Sequence, residues 1–225
     1  MSSDERASVT RRALIDATAQ RLEAADESEL RIADVCADTG YSSSVIYSNF
    51  RSRQGLVDAA LLDLFDRYSR AYTDLVDEYT RDARSLDEML AFYTDPAQHE
   101  RLAATLAGFR QVRLRVSTAA ILRPELRREW RVVYADYVGR MAAMVERGQD
   151  AGFIGRRLSA HELAVLLEAM AYGRALDGIS LDPLPDLSWL TMLELVFRMV
   201  DDGLAARPED HDVGASAPRA AHPAD

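Results

Sequence analysis

Lysine is absent from this sequence: all 27 basic residues are arginine, set against 37 acidic residues for a formal net charge of −10. Bulk attraction to nucleic acid is thereby excluded, and any phosphate binding has to come from local placement of cations. Cysteine occurs once, as Cys36, so an internal disulfide is impossible and a reducing compartment suits the chain. Cys36 falls on the inward stripe of a helix and reads as packing, because reactive thiols need exposure and a basic setting. No apolar run approaches the roughly 20 residues of a membrane helix, and MSSDERASVTRR lacks the apolar core of a signal peptide. A cytoplasmic protein with no membrane partner is expected. Proline is missing from the first 95 residues, and no long stretch alternates apolar and polar residues, which favours helices over strands. There is no glycine-rich phosphate loop, HExxH, GxSxG or pair of cysteines. The histidines His99, His161, His211 and His222 are scattered, so neither catalysis, a metal site nor another cofactor is expected.

What the chain does contain is a compact signal at residues 30–56, LRIADVCADTGYSSSVIYSNFRSRQGL. Ile32, Val35, Cys36 and Thr39 fall at i, i+3, i+4 and i+7, a largely apolar stripe on a short helix. Gly40 then permits the left-handed conformation that closes it. In a second short helix, Ser42 or Ser43 can cap the N-terminus while Val45, Ile46 and Phe50 pack inward. Ser43, Ser44, Tyr47 and Ser48 are left facing outward. Two short helices joined by a glycine turn predict a helix-turn-helix whose second helix enters the DNA major groove.

At these residues the sequence resembles the N-terminal DNA-binding domain of the TetR family of transcriptional regulators. The resemblance lies in the glycine turn, Ser42, the Ile46-Tyr47 pair, Phe50, and Ser52-Arg53-Gln54-Gly55-Leu56 opening the next helix. Two departures stand out: Arg31 replaces the family's usual Thr or Ser cap, and Arg53 replaces its usual Lys. The DNA-binding residues expected are Arg31, Ser42, Ser43, Ser44, Tyr47, Ser48, Asn49, Arg51 and Arg53. Tyr47 resembles the family's phosphate-contacting tyrosine, and Arg51 and Arg53 would hold the backbone. Without Asn, Gln or Arg at the head of the recognition helix, bidentate base reading is sparse, and specificity leans on Tyr41, Val45 and DNA shape. Residues 1–56 carry 7 Arg against 9 acids, so binding that weakens steeply with salt is expected.

The remainder reads as helices. Residues 10–23 form the first, with Ile15, Ala19 and Leu22 inward. Ser52 caps a long helix to about residue 79, turning Leu56, Ala60, Leu61, Leu64, Phe65 and Tyr68 toward the body. Further starts are Ser85 with Glu88, Asp95-Pro96 with Gln98, Pro124, and Ser159 with Glu162. The helix from Pro124 is closed near Gly148, Gly152 and Gly155, the one from Ser159 breaks at Gly178, and ISLDPLPDL links to a last helix at 188–206. The fold class expected is all-α: an N-terminal three-helix helix-turn-helix domain at 1–56, a larger C-terminal helical ligand-binding and dimerisation domain at 57–206, and a disordered tail at 207–225.

Leu190, Leu193, Phe197, Val200 and Leu204 repeat in a coiled-coil-like seam, and the opposite side holds Met192, Leu195, Val196 and Met199. The 159–177 helix is similarly apolar on two faces, so one face of each helix can serve the core and the other a partner. Leu163, Leu167, Met170, Leu190, Leu193, Phe197, Val200 and Leu204 are the expected dimer interface, and a four-helix interface is also what the resemblance implies; a large monomeric core is the simpler alternative. Candidate pocket residues among the helices from 56 to 149 are Phe65, Tyr68, Met89, Phe92, Tyr93, Leu106, Phe109, Arg113, Trp130, Tyr134, Tyr137 and Met141, each of which can equally be plain core. Arg113 would meet a carboxylate or phosphate if the ligand bears one. The resemblance implies a homodimer that binds a double-stranded DNA operator and responds to a small-molecule effector, with repression favoured over activation. The alternatives are a helical small-molecule or partner-binding module that has lost DNA affinity, and an α-helical enzyme, for which no residue constellation speaks.

Overall fold

A computed structural model describes residues 2–94 and 96–201; the tail at 207–225, with His211 and His222, and Leu204 lie outside the described residues. Among the described residues there are nine helices and no strand: α1 Ser3–Ala24, α2 Ile32–Thr39, α3 Ser43–Phe50, α4 Arg53–Thr80, α5 Leu86–Thr94, α6 Pro96–Leu122, α7 Pro124–Asp150, α8 Ala160–Asp177 and α9 Asp186–Asp201. None of the described helices is long and apolar enough to cross a membrane.

Local chemistry accounts for the boundaries. Helix α1 starts at Ser3 rather than at Thr10 because Ser2 and Glu5 form a capping box, with Glu5 N–H donating to Ser2 Oγ at 3.1 Å and Ser2 N–H to Glu5 Oε2 at 2.6 Å. Arg31 sits at the N-cap of α2 without a side-chain cap. Gly40 ends that helix at φ 73°, a left-handed value that glycine adopts without steric penalty. Ser42 occupies the N-cap of α3 but makes no side-chain cap, correcting the expectation; its Oγ lies 2.8 Å from Ser44 Oγ instead. Ser52 does cap α4, accepting from Gly55 N–H at 3.0 Å. A Cβ at Gly55 would collide with the Phe50 carbonyl, so the close approach of α3 to α4 requires glycine there. Gly148 lies inside α7 under Ile154 rather than closing the helix.

Leu14, Ala19, Leu22, Val35, Ile46 and Phe50 join Leu56, Ala60, Leu61, Leu64 and Phe65 of α4 in a cluster that continues through Phe109, Val116, Leu126 and Tyr137 to Ala164 of α8. Full burial of each large side chain contributes roughly 1.5–3 kcal/mol. Helix α4 thus carries one core through the boundary at residue 56, which separates roles along a single helix rather than two independent cores.

Polar contacts fasten the connection between α1 and α2 to the body. Arg53 Nε donates to Leu30 O at 2.9 Å, and its other end donates to Glu27 O. Arg115 of α6 donates to Leu22 O at 2.6 Å. Arg123, between α6 and α7, donates to Glu27 Oε2 at 3.0 Å and also pairs with Asp58 of α4. Tyr68 donates to Glu23 at 2.9 Å.

Candidate functional site

The helix-turn-helix presents a small, polar face. Val35, Ile46 and Phe50 are buried and set the angle between α2 and α3, while Ser42, Ser43, Ser44, Tyr47 and Ser48 are exposed, Tyr47 at 48%. Ser48 Oγ and Asn49 Nδ2 both donate back to Val45 O, at 2.9 and 2.8 Å, so in this conformation they serve α3 itself. Tyr41 is partly buried and its hydroxyl accepts from Thr10 at 3.4 Å. Arg31 and Arg51 are exposed at either side of the recognition helix. Arg51 has φ 64°, a conformation unusual for a residue with a side chain.

The arginines behind this face have other tasks. Arg53 grips the α1–α2 connection, Arg12 pairs with Asp16 and Asp63, and Arg21 pairs with Asp38 at 2.5 Å and faces Asp34 at 3.8 Å. Arg11 stacks over the Phe50 ring at 4.5 Å and donates to Asn49 O. The Asp38 carboxyl lies below its usual range because Arg21 hydrogen-bonds to it.

The second feature is a cavity of about 220 Å³ lined by α4 to α9. Leu106, Met141, Leu167, Met170, Leu190, Leu193 and Phe197 supply its apolar wall, and Tyr72, Tyr93, Arg110, Arg113, Tyr137, Glu168 and Arg174 its polar groups. Arg113 and Glu168 are 2% and 3% exposed, which makes an isolated charge on either prohibitive. They pair: Arg113 Nε stands 3.1 Å from Glu168 Oε1, close enough for an ion pair but not aligned as a hydrogen bond. Tyr137 completes the triangle, accepting from Arg113 at 3.1 Å and donating to Glu168 Oε2 at 3.0 Å. The guanidinium lies over Phe109 at 4.0 Å, with Tyr172 at 5.7 Å and Tyr137 at 5.8 Å. Burial raises the Glu168 carboxyl above its usual range, and Arg113 and Tyr137 offset only part of that. Burial likewise pushes the Tyr93 and Tyr137 hydroxyls well upward, so both remain neutral donors.

Of the expected pocket residues, Tyr93, Leu106, Arg113, Tyr137 and Met141 line this cavity. Phe65 and Phe109 are fully buried core, and Trp130 and Tyr134 pack beside them in one aromatic cluster. Tyr68 turns to Glu23, Phe92 packs against Tyr79 and Tyr93, and Met89 lines a second cavity of about 90 Å³. The expected dimer residues are also repositioned. Leu163, Phe197 and Val200 are buried within the chain, and Leu167, Met170, Leu190 and Leu193 face the main cavity. The face turned outward bears Val165 and Leu166 on α8 and Leu195 and Met199 on α9. Two helices apolar nearly all round give spacing no means of choosing the inner face, and the regular seam went to the chain's own core. Glu168 carried a signal of its own, a lone acid in the middle of the apolar run LAVLLEAMAYG.

No family model and no curated protein matches the chain, whereas solved structures match over most of its length. A protein from Rhodococcus sp. described as a TetR-family transcriptional regulator aligns with TM-score 0.60 at 22% identity, covering 86% of this chain and 98% of its own. One from Mesorhizobium loti, with the same description, aligns with TM-score 0.64 at 13% identity, covering 87% and 96%. A transcriptional regulator from Saccharomonospora viridis, in complex with choline, aligns with TM-score 0.58 at 20% identity, covering 85% and 96%. With a glycine-turned helix-turn-helix at one end and a cavity among the helices at the other, the chain has the fold of the TetR-family transcriptional regulators.

Proposed function

We propose that this chain is a homodimeric, ligand-responsive transcriptional repressor that holds a palindromic double-stranded DNA operator and releases it when a small, largely apolar molecule enters the main cavity. The observation that carries this reading is that one helix serves both sites. Helix α6 lines the cavity with Leu106, Arg110 and Arg113 and grips α1 with Arg115, while Arg123, in the turn that joins α6 to α7, holds Glu27. A ligand that prefers one position of α6 then biases the reader by as much as that preference and no more. The outward apolar residues of α8 and α9 supply a surface for a second copy. Two recognition helices reach successive major grooves only when about 34–36 Å apart, so small displacements suffice for release. On DNA, Ser42, Ser43, Ser44 and Tyr47 meet the groove and its edge while Arg31 and Arg51 meet phosphate.

The test is selection of genomic fragments by the purified protein at low and moderate salt, beside a Tyr47→Ala, Arg51→Ala variant. Enrichment of a palindrome by the wild type alone supports the regulator. Absence of enrichment at low salt, with the dimer intact, removes the DNA claim. A second reading, a small-molecule or partner-binding module without DNA affinity, is favoured by the net acidity of residues 1–56 and by the internal pairing of Arg12, Arg21 and Arg53.

A further inference from the structure

We propose that the main cavity and the smaller cavity beside it are two halves of one site, which holds a ligand with a long unbranched aliphatic chain. The polar end lies in the main cavity and the far end of the chain in the smaller one. The inference rests on the ligand-binding reading above and adds the shape of the ligand. Four residues, Tyr93, Met141, Leu167 and Phe197, line both cavities. They come from α5, α7, α8 and α9 in turn, so side chains rather than a helix stand between the two spaces.

The partition stands at a joint in the packing. Met141 belongs to the cluster that runs along α4, Phe197 to a second cluster with Val145, Ile154 and Leu163, and Tyr93 packs on a third formed by Leu75, Val76 and Phe92. Leu167 touches the first two. A joint between clusters yields at less cost than the middle of one, because fewer dispersion contacts are lost when it opens. Met89, Met141 and Met144, three of the chain's seven methionines, border the smaller cavity, and an unbranched thioether adapts to a new neighbour by rotating.

The two halves differ in what they offer. The main cavity holds the hydroxyls of Tyr72, Tyr93 and Tyr137 beside the Arg113–Glu168 pair. The Tyr72 and Tyr93 oxygens lie 3.3 Å apart, long for a bond between hydroxyls, so this pair gives way readily to a ligand oxygen. In the smaller cavity Val76, Val145, Phe153 and Ile154 supply the wall, and the polar groups around it are engaged. Thr80 Oγ1 donates to Val76 O at 2.8 Å, and Arg81 and Arg147 both pair with Asp77. The volume of about 90 Å³ is several times the roughly 10–15 Å³ that one water needs, and an apolar space favours methylenes over water. A compact ring fills the main cavity only, whereas a chain passing Met141 and Leu167 buries its methylenes in both.

The test is calorimetric titration of the full chain with three unbranched probes: 1-hexanol, 1-octanol and 1-decanol. Affinity is expected to rise about fourfold for each added methylene, on the order of a hundredfold from hexanol to decanol. Met89 and Met144 lie on different helices and line the smaller cavity but not the main one. Met89→Trp and Met144→Trp are each expected to hold the rise to about tenfold or less while leaving hexanol unchanged, which also shows that each variant is folded. Ala171→Trp, in the main cavity, is expected to weaken all three alcohols alike. A full rise in both methionine variants would overturn the proposal, as would a wild-type affinity that does not rise beyond hexanol. Equal loss of hexanol and decanol in both methionine variants, or failure of every alcohol to bind the wild type, overturns it as well. Operator selection by the same preparation is read separately. The chain-length rise without DNA binding removes the regulator and leaves the two-part site, whereas DNA binding without the rise keeps the regulator and removes the two-part site.

Discussion

Arginine does different work at the two ends of this molecule. At the base of the helix-turn-helix, Arg53, Arg115 and Arg123 are half-buried, and much of what they hold is main chain: the carbonyls of Leu22, Glu27 and Leu30. In the wall of the main cavity, Arg113 is almost wholly buried and is paired with Glu168. Main-chain carbonyls cannot be mutated away and water can reach that junction, so damage there loosens a connection. Among the described residues Glu168 is the one acid set against that guanidinium, and both side chains are almost wholly buried, so damage there strands a charge.

The sharpest way to break the comparison is Arg113→Leu, which leaves Glu168 buried alone. A loss of about 3–5 kcal/mol in urea unfolding is expected, most of it recovered when Glu168→Leu is added. Equal losses in the single and double variants would show that the guanidinium's packing on Phe109, rather than charge balance, is what the core needs.

A gentler probe is Glu168→Gln, read against pH. Because the folded-state carboxyl is raised, its contribution to stability is fully present below the ordinary glutamate value of 4.5 and is lost as pH rises through the higher folded value. Wild type minus variant stability should therefore fall across that interval. A flat or rising difference would mean that Arg113 dominates the carboxyl and keeps it ionised.

Next in size is Arg53→Met at the reader's base, expected to cost about 1–2 kcal/mol through two carbonyls that lose their donor. Faster hydrogen exchange should be confined to residues 25–31; spreading into α7 or α8 would mean that the two regions are less separable than their contacts indicate. The smallest effect is Arg51→Gly. Glycine relieves the positive φ but adds disorder to the unfolded chain, so thermal stability should move by no more than about 1 kcal/mol while DNA affinity drops. A large destabilisation would show that Arg51 holds the turn rather than phosphate.

Much of the fold was legible because helix ends depend on a few neighbouring atoms. Gly40, Ser52 and the Ser159-Glu162 pair act within one turn of chain, and the structure uses each as its sequence position indicates. The start of α1, ahead of the expected residue 10, obeys the same kind of signal in Ser2 and Glu5. The cavity was less legible because it depends on which of two apolar faces each helix turns inward, a choice made by distant partners. Arg113 shares a helical face with Leu106 and Phe109, and Tyr137 belongs to an aromatic-rich helix, so both are legible, but Glu168, Arg174 and Trp189 enter from α8 and α9, whose sequence reads as interface. Arg53 shows the complementary limit: its motif indicates phosphate, while its reach to carbonyls 23 and 26 residues upstream is visible only in three dimensions.

Helix α4 has 28 residues and so spans about 42 Å at 1.5 Å per residue. Its first turn is fixed to the reader by Ser52 and Arg53, and near its last turn Asp77 meets Arg81 and Arg147. A rod of that length multiplies angle into distance. Pivoted at the far end, a tilt of about 5° moves the reader by about 4 Å, and two copies tilting oppositely would change the spacing of their recognition helices by nearly twice that, roughly the rise of two base pairs. In the dimer proposed for this chain, a displacement in the sensor too slight to disturb a single hydrogen bond could still carry the two readers out of register with the grooves.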